Sequence, residues 1–88
     1  MDLQEYIGEK IVIDLSSRFV AIGTLKTATD HRLTLTEADL HDLRDSPTNR
    51  ENYVVESKLT GIKKNRKEVV VNAAEVVAVS RLKDVITD

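Results

Sequence analysis

Two long runs of apolar and β-branched residues, separated by a short polar break, dominate the hydrophobic pattern of the chain. The runs lie in residues 18–28 and 31–43, and Thr29, Asp30 and His31 form the break. Runs rich in Val, Ile, Leu, Thr and Phe favour strands, and a short polar break between two such runs is typical of a chain reversal. The pattern therefore predicts a long antiparallel hairpin.

Both arms of this hairpin change the face that carries their apolar residues. In the first arm Val20 and Ile22 share one parity and Leu25 has the other, with Gly23 between them. A glycine inside a strand commonly marks a sharp bend or a bulge, because its backbone can curl tightly. The second arm makes the same change after Leu35. Long strands that are buried on different faces at different points are typical of a small, highly curved barrel.

A short helix and a first strand are predicted before the hairpin. Asp2 is a helix-capping residue followed three positions later by Glu5, and Gly8 favours a helix end. Ile11, Ile13 and Leu15 then fall on one side of an extended segment, which predicts a strand.

A second helix is predicted after the hairpin. Two overlapping helix-start signals lie within residues 46–51, and Val55, Leu59 and Ile62 follow at the helical spacing i, i+4 and i+7. The β-branched residues of 53–55 also suit a strand, which is the alternative. The pattern leaves open whether the helix caps the barrel through this apolar face or projects from it as a surface for a partner.

The last third of the chain predicts two more strands, each apolar on successive residues. Residues 69–71 and 76–79 have no polar alternation, so both faces of each strand need cover. In a chain of 88 residues we expect part of that cover to come from another copy. Leu82, Val85 and Ile86 predict a short helical turn at the C-terminus.

The predicted fold is mainly β: a small, strongly bent, five-stranded antiparallel barrel of the SH3-like kind, in one domain over residues 1–88. It has a short N-terminal helix and a helical insertion between the third and fourth strands. The predicted elements are a helix at 2–7, strands at 9–15, 18–28 and 31–43, a helix at 48–60, and strands at 66–72 and 75–81.

Composition excludes several classes of function. The chain has no Cys and a net charge of −2, so we expect no disulfide framework, no thiolate metal centre and no global field that attracts nucleic acid. No apolar run approaches the ~20 residues that span a bilayer, and the N-terminus lacks a signal peptide. We therefore expect a cytoplasmic protein without a membrane contact.

The chain also lacks the motifs of an enzyme. It has no Cys nucleophile, no Gly-x-Ser-x-Gly elbow, no glycine-rich phosphate loop and no His-Glu-x-x-His. Asp39 and His41 share a strand face but have no third fixed ligand, so no metal site is predicted. We interpret the cluster to which they belong as charged edge residues that discourage unwanted strand pairing; its members are Glu37, Asp39, His41, Asp42 and Asp45. No enzymatic activity, cofactor or small-molecule substrate is expected.

Four stretches of the chain resemble the Sm-like superfamily, the ring-forming RNA-binding proteins that include the LSm proteins and bacterial Hfq. They are residues 7–13, 22–26, 30–35 and 69–76. The second resembles the Gly-x-Leu of a bent strand in that family, and the third resembles its Asp-x-x-Met-Asn-Leu turn. The resemblance covers nearly the whole chain except about residues 41–67. It implies an Sm-like barrel in a closed homo-oligomeric ring of six to eight subunits, the fourth strand of each pairing with the fifth of the next.

The same resemblance implies an RNA pocket at Asp30, Arg32, Thr34 and Asn72. The family uses an aromatic or related side chain and an Asn from the first motif, and an Arg-Gly pair from the second. Here Arg32 and Thr34 stand in the first motif and Asn72-Ala73 in the second. An Arg plane can stack on a base and the polar groups can bind one. The alternative is that these residues simply line the pore of a ring.

A basic run before the fourth strand is the second candidate site. Its members are Lys58, Lys63, Lys64, Arg66 and Lys67. A ring would repeat the run on each subunit and hold phosphates, whereas a monomer would present only a solvated helix end. The sequence thus predicts a ring that binds single-stranded RNA or scaffolds an RNA-associated assembly. The alternative is a non-enzymatic protein-interaction ring or SH3-like barrel that has lost RNA recognition.

Overall fold

The computed structural model describes residues 2–87, which form five antiparallel strands, one α-helix and four single-turn 3-10 helices. The strands are β1 (Lys10–Leu15), β2 (Phe19–Ala28), β3 (Arg32–Asp42), β4 (Arg66–Asn72) and β5 (Val76–Arg81), and the helix is α1 (Arg50–Thr60). The 3-10 turns lie at Gln4–Tyr6, Leu43–Asp45, Ala73–Glu75 and Leu82–Asp84. The predicted mainly-β architecture, with a helix between the third and fourth strands, is confirmed.

All five strands belong to one sheet whose order is β4-β3-β2-β1-β5, so β4 and β5 occupy its two edges. Every ladder in the described residues is antiparallel. Only the turn at Ala73–Glu75 separates the two edge strands along the chain, and such a connection spans at most about 14 Å. The sheet therefore rolls until its edges approach each other, which gives the strongly bent barrel.

The bend lies where Gly23 faces a bulge on β3. The register passes from Ile22 paired with Asp39 to Thr24 paired with Thr36, so two residues of β3 oppose one of β2. A Cβ atom at Gly23 would lie 2.9 Å from the Cβ of Ala38. The close approach of the two backbones requires glycine here, and the predicted role of this residue is confirmed.

The interior of the barrel holds the larger of two apolar cores. Its buried members are Leu3, Ile11, Ile13, Ala21, Leu25, Leu33, Leu35, Ala38 and Val71. They come from all strands except β5, whose Val76 and Val79 pack on the cluster while partly buried. Val70 of β4 and Val77 of β5, by contrast, are largely exposed.

A second core lies on the outer face of the sheet, beneath α1. Val12, Val20 and Ile22 of the sheet contact Tyr53 and Val54 of the helix. Leu82 of the last 3-10 turn completes the buried set. The insertion therefore covers the sheet rather than projecting from it, and the alternative of a strand over residues 53–55 is wrong.

The face by which α1 packs differs from the predicted one. The buried residues of the helix are Tyr53, Val54 and Ser57, whereas Leu59 has 66% of its surface exposed. Ser57 is accommodated because its hydroxyl donates to the carbonyl of Tyr53, at 3.0 Å. Of the predicted face through Val55, Leu59 and Ile62, Ile62 packs against the second core, whereas Leu59 is solvent-exposed. The helix itself packs through Tyr53 and Ser57, which can be buried because their polar groups are paired.

The ends of the chain form tighter turns than predicted. The N-terminal helix is one 3-10 turn, Gln4–Tyr6, and the carboxylate of Asp2 accepts from the backbone N of Gln4 at 3.1 Å. Gly8 then has a φ of 87°, which ends the turn and directs the chain into β1. No helix within residues 2–87 is long and apolar enough to cross a membrane.

Candidate nucleic-acid interface

The turn between β2 and β3 is held in one shape by a single threonine. The backbone N of Thr29 donates to the carbonyl of Arg32 at 2.9 Å. The hydroxyl oxygen of Thr29 accepts from the backbone N of His31 and of Arg32, at 3.2 Å each. These contacts leave the side chains of Asp30, His31 and Arg32 exposed.

The end of β4 lies directly against this turn. Asn72 pairs with Arg32 in the ladder between β3 and β4, and the backbone N of Ala73 donates to the carbonyl of His31 at 2.9 Å. His31, Arg32, Val70 and Asn72 line a cavity of about 370 Å³. Two loops that are some forty residues apart in sequence therefore form one open concavity.

The cavity offers two planar groups and a polar amide. The guanidinium of Arg32 and the imidazole of His31 can each stack on a base. The side-chain oxygen of Asn72 accepts from the backbone N of Ala74 at 3.1 Å, which leaves its NH₂ group to donate to a ligand. Stacking and amide donation together suit an unpaired nucleobase.

The predicted pocket residues do not all reach this cavity. Arg32 and Asn72 line it, whereas Thr34 pairs with Val70 further along the sheet and Asp30 lies in the exposed turn. His31 lines it and was missed by sequence reasoning. The available signal was its place next to Arg32 in a polar break, where an aromatic ring is held outside the core.

The five residues of the predicted basic run lie in three different environments. Lys58 donates to the carbonyls of Lys83 and Val85, at 2.7 and 2.6 Å, and so belongs to the C-terminal turn. Lys63 pairs with Glu56 at 3.0 Å. The rest of the run shares a cavity of about 270 Å³, lined by Glu37, Lys64, Asn65, Arg66 and Lys67.

The basic cluster of Lys64, Arg66 and Lys67 lies at one end of β4, and the His31–Arg32–Asn72 cavity lies at the other end. Arg66 begins β4 and Asn72 ends it, six residues later, a separation of about 20 Å. A single nucleotide cannot contact both. The two predicted RNA-binding sets are therefore separate surfaces.

Comparison with solved structures places this architecture among known proteins. The Sm protein of Pyrococcus abyssii, solved in complex with a uridine heptamer, superposes with a TM-score of 0.62 at 16% identity, over 90% of each chain. The chain has an Sm-like fold. The LSM domain of Dm EDC3 (Enhancer of Decapping 3) gives a TM-score of 0.55 at 17% identity, covering 89% of this chain and 60% of that one. No family model and no curated protein sequence matches the chain.

This Sm-like barrel carries a buried polar cluster beneath its inserted helix. Asp39 is 1% exposed and accepts from the hydroxyl of Tyr53 and from the side-chain N of Asn65. The ring of His41 stacks on Tyr53 with centroids 3.9 Å apart. Burial and the neighbouring Asp39 raise the pKa of Tyr53 well above its usual range. Our interpretation of Asp39 as a charged strand-edge residue was therefore wrong, because it fixes the helix to the sheet.

Residues 2–87 contain no group of three or more His, Asp or Glu side chains that could hold a metal ion. Asp39 and His41 do share a face of β3, as predicted, but that face is covered by α1.

Proposed function

We propose that this chain is a non-enzymatic, Sm-like subunit that binds single-stranded RNA through the cavity of His31, Arg32 and Asn72. The observation that carries the proposal is the meeting of the β2–β3 turn with the end of β4 around that cavity. The Pyrococcus abyssii neighbour was solved with a uridine heptamer, which supports the choice of an unpaired strand as the ligand. In such a role the chain binds RNA itself or holds an RNA-associated assembly together.

We further propose that copies of the chain close into a homo-oligomeric ring. Within the described residues β4 pairs only with β3 and β5 only with β1, so the outer edge of each has no partner strand, and each presents apolar surface. Val70 is 54% exposed on β4 and Val77 is 69% exposed on β5. Pairing β4 of one copy with β5 of the next covers both edges, and head-to-tail contacts close into a ring when the rotation permits. The Sm-like resemblance implies six to eight copies.

A ring also explains how a shallow cavity binds usefully. One stacked base contributes only about 1–3 kcal/mol. Repeating the cavity around a ring lets one RNA strand contact several copies, so each further contact is intramolecular and adds to the avidity.

Fluorescence anisotropy with labelled oligo(U) and oligo(A) over a salt series tests the RNA proposal. We expect Arg32→Ala and Asn72→Ala each to weaken binding about tenfold at fixed salt, because they remove a stacking plane and an amide donor. Lys64→Ala and Lys67→Ala are the matched controls, and we expect them to change the salt slope rather than the preference among bases.

Two outcomes contradict this assignment. Loss of binding only in the two lysine variants refutes the cavity as the base-binding site. Absence of any binding at ~50 mM salt, where phosphate contacts are strongest, refutes RNA binding itself.

A second candidate function is a ring or SH3-like barrel that binds protein and has lost RNA recognition. The observation that favours it lies at the end of β4, where Asn72 and Ala73 stand in place of the family's Arg-Gly pair and the side-chain oxygen of Asn72 already accepts a hydrogen bond from the backbone N of Ala74. A measurement on the unmodified protein distinguishes the RNA-binding function from the protein-binding function. An assembled ring that binds neither oligonucleotide at low salt supports the protein-binding role.

A further inference from the structure

A cationic cavity lies on a part of the molecule that the RNA proposal does not use. It has a volume of about 410 Å³ and opens where the start of β1, the end of α1 and the last 3-10 turn meet. Its lining consists of Glu9, Lys10, Lys58, Leu82 and Lys83. Three lysines from three separate elements thus line one cavity with a single carboxylate residue, in a protein whose net charge is −2.

Lys58 is fixed in position before any ligand arrives. Its ammonium donates to the carbonyls of Lys83 and Val85, at 2.7 and 2.6 Å. An ammonium group has three N–H donors and no acceptor, so these two carbonyls leave one donor of Lys58 for another acceptor. Fixing a lysine in this way removes much of the rotamer entropy that it would otherwise lose on binding an anion.

The one carboxylate in the lining already has its own cations. Glu9 accepts from the guanidinium of Arg81 at 2.7 Å and lies 3.5 Å from the ammonium of Lys83. The Arg81 hydrogen bond lowers the pKa of Glu9, so this carboxyl stays ionised and paired. The positive charges of Lys10 and Lys58 are therefore left without a carboxylate partner in the lining.

We propose that this cavity binds a phosphate group. A phosphate presents several strong acceptor oxygens to donors that approach from different directions, and lysines from three elements match that arrangement better than they match a flat carboxylate. The phosphate can belong to an RNA backbone or to a small phosphorylated compound. The inference stands apart from RNA binding at the His31–Arg32–Asn72 cavity, because the two sites share no residue.

Amide chemical shifts during a titration with inorganic phosphate, at constant ionic strength, test the proposal. We expect saturable shifts at Lys10, Lys58 and Lys83. The double variant Lys10→Gln/Lys83→Gln should weaken binding at least tenfold without unfolding the protein, since both side chains are exposed. The matched control is Arg18→Gln/Lys26→Gln, which removes the same charge from two exposed positions outside all the cavities described and should leave the affinity within twofold.

A second titration with oligo(U) that lacks terminal phosphates separates the two sources of phosphate. Shifts with inorganic phosphate alone support a small ligand, and shifts with oligo(U) that vanish in the Lys10→Gln/Lys83→Gln variant support an RNA backbone. The proposal is overturned if shifts do not saturate with either probe, or if the two double variants lose binding equally. Arg32→Ala should keep the phosphate shifts, so failure of the RNA proposal remains distinguishable.

Discussion

At the scale of the residue, two positions determine how sharply the sheet bends. Gly23 allows the backbones of β2 and β3 to approach, and the opposing Glu37 has a φ of 48°, in the left-handed region. A non-glycine residue rarely adopts that conformation, so the bulge is maintained by the surrounding ladder rather than by local preference. The bend at this point of the sheet depends on that contact, and further register shifts lie at Leu25/Thr27 and Asp14/Leu15.

Gly23→Ala is expected to lower the free energy of unfolding by about 1–3 kcal/mol, the usual cost of overpacking. The added methyl would lie 2.9 Å from the Ala38 Cβ and 3.1 Å from the Thr36 carbonyl oxygen, so the strands must separate. Urea unfolding measures the loss. The double variant with Ala38→Gly should recover part of it, and full additivity of the two changes would contradict direct contact as the cause.

At the scale of the element, α1 is fixed by one buried face that combines apolar and polar contacts. Val54 packs in the second core, and Tyr53 adds a hydrogen bond to Asp39. The opposite face is solvated, with Leu59 largely exposed. The helix thus depends on few residues, and its stability should respond unequally to changes on its two faces.

Val54→Ala is expected to cost about 1–2 kcal/mol, because it removes buried methyl groups and leaves a cavity. Leu59→Ala should change stability by less than about 0.5 kcal/mol, as is usual for an exposed site. Thermal and urea unfolding of both variants measure the difference. A loss in Leu59→Ala as large as that in Val54→Ala would contradict the packing of the helix through Tyr53 and Val54.

Tyr53 should make the protein less stable in alkaline solution. Its pKa is raised in the folded state, first by burial and then by Asp39. Above pH ~10 the unfolded tyrosine loses its proton while the folded one keeps it, so the unfolded state binds fewer protons and stability falls as pH rises. Tyr53→Phe should remove this slope, up to about 1.4 kcal/mol per pH unit.

The stability of the Tyr53→Phe variant at neutral pH provides a control for this prediction. There it should be less stable by about 1–3 kcal/mol, because the buried Asp39 loses a hydrogen-bond donor. An unchanged alkaline slope in unfolding experiments on the variant would show that other groups cause the pH dependence.

At the scale of the whole molecule, the sheet rolls into a barrel, but its two edge strands, β4 and β5, do not pair with each other. β4 and β5 end the sheet with apolar side chains outside, and the barrel interior is least covered where these strands lie. Exposed strand edges of this kind pair readily with another chain. We therefore expect self-association, and the proposed ring is its closed form.

Val77→Asp is expected to convert the assembly to smaller species at micromolar concentration, because it places a charge on an apolar edge that pairing would bury. Leu59→Asp is the matched control, since Leu59 is similarly exposed but lies on α1. Sedimentation velocity and native mass spectrometry measure the mass. A monomeric parent protein, or equal dissociation of both variants, would refute the ring.

Most of the fold was predictable from the chain itself. Strand and helix limits follow from apolar alternation and capping residues, which act over a few neighbours, and the glycine bend follows from a break in parity around residue 23. The Sm-like architecture was predictable for the same reason, since its motifs lie within continuous segments. Arg32 and Asn72 were placed together because both belong to such motifs.

What the linear pattern could not determine was which surfaces meet across the fold. Helix α1 packs through Tyr53 because that hydroxyl reaches Asp39 on another element, a contact invisible to helical periodicity. The basic run divides because Lys58 turns toward the C-terminal carbonyls while Lys63 pairs with Glu56. Local order depends on the backbone preferences of near neighbours, whereas burial and charge pairing depend on distances that exist only once the sheet has rolled up.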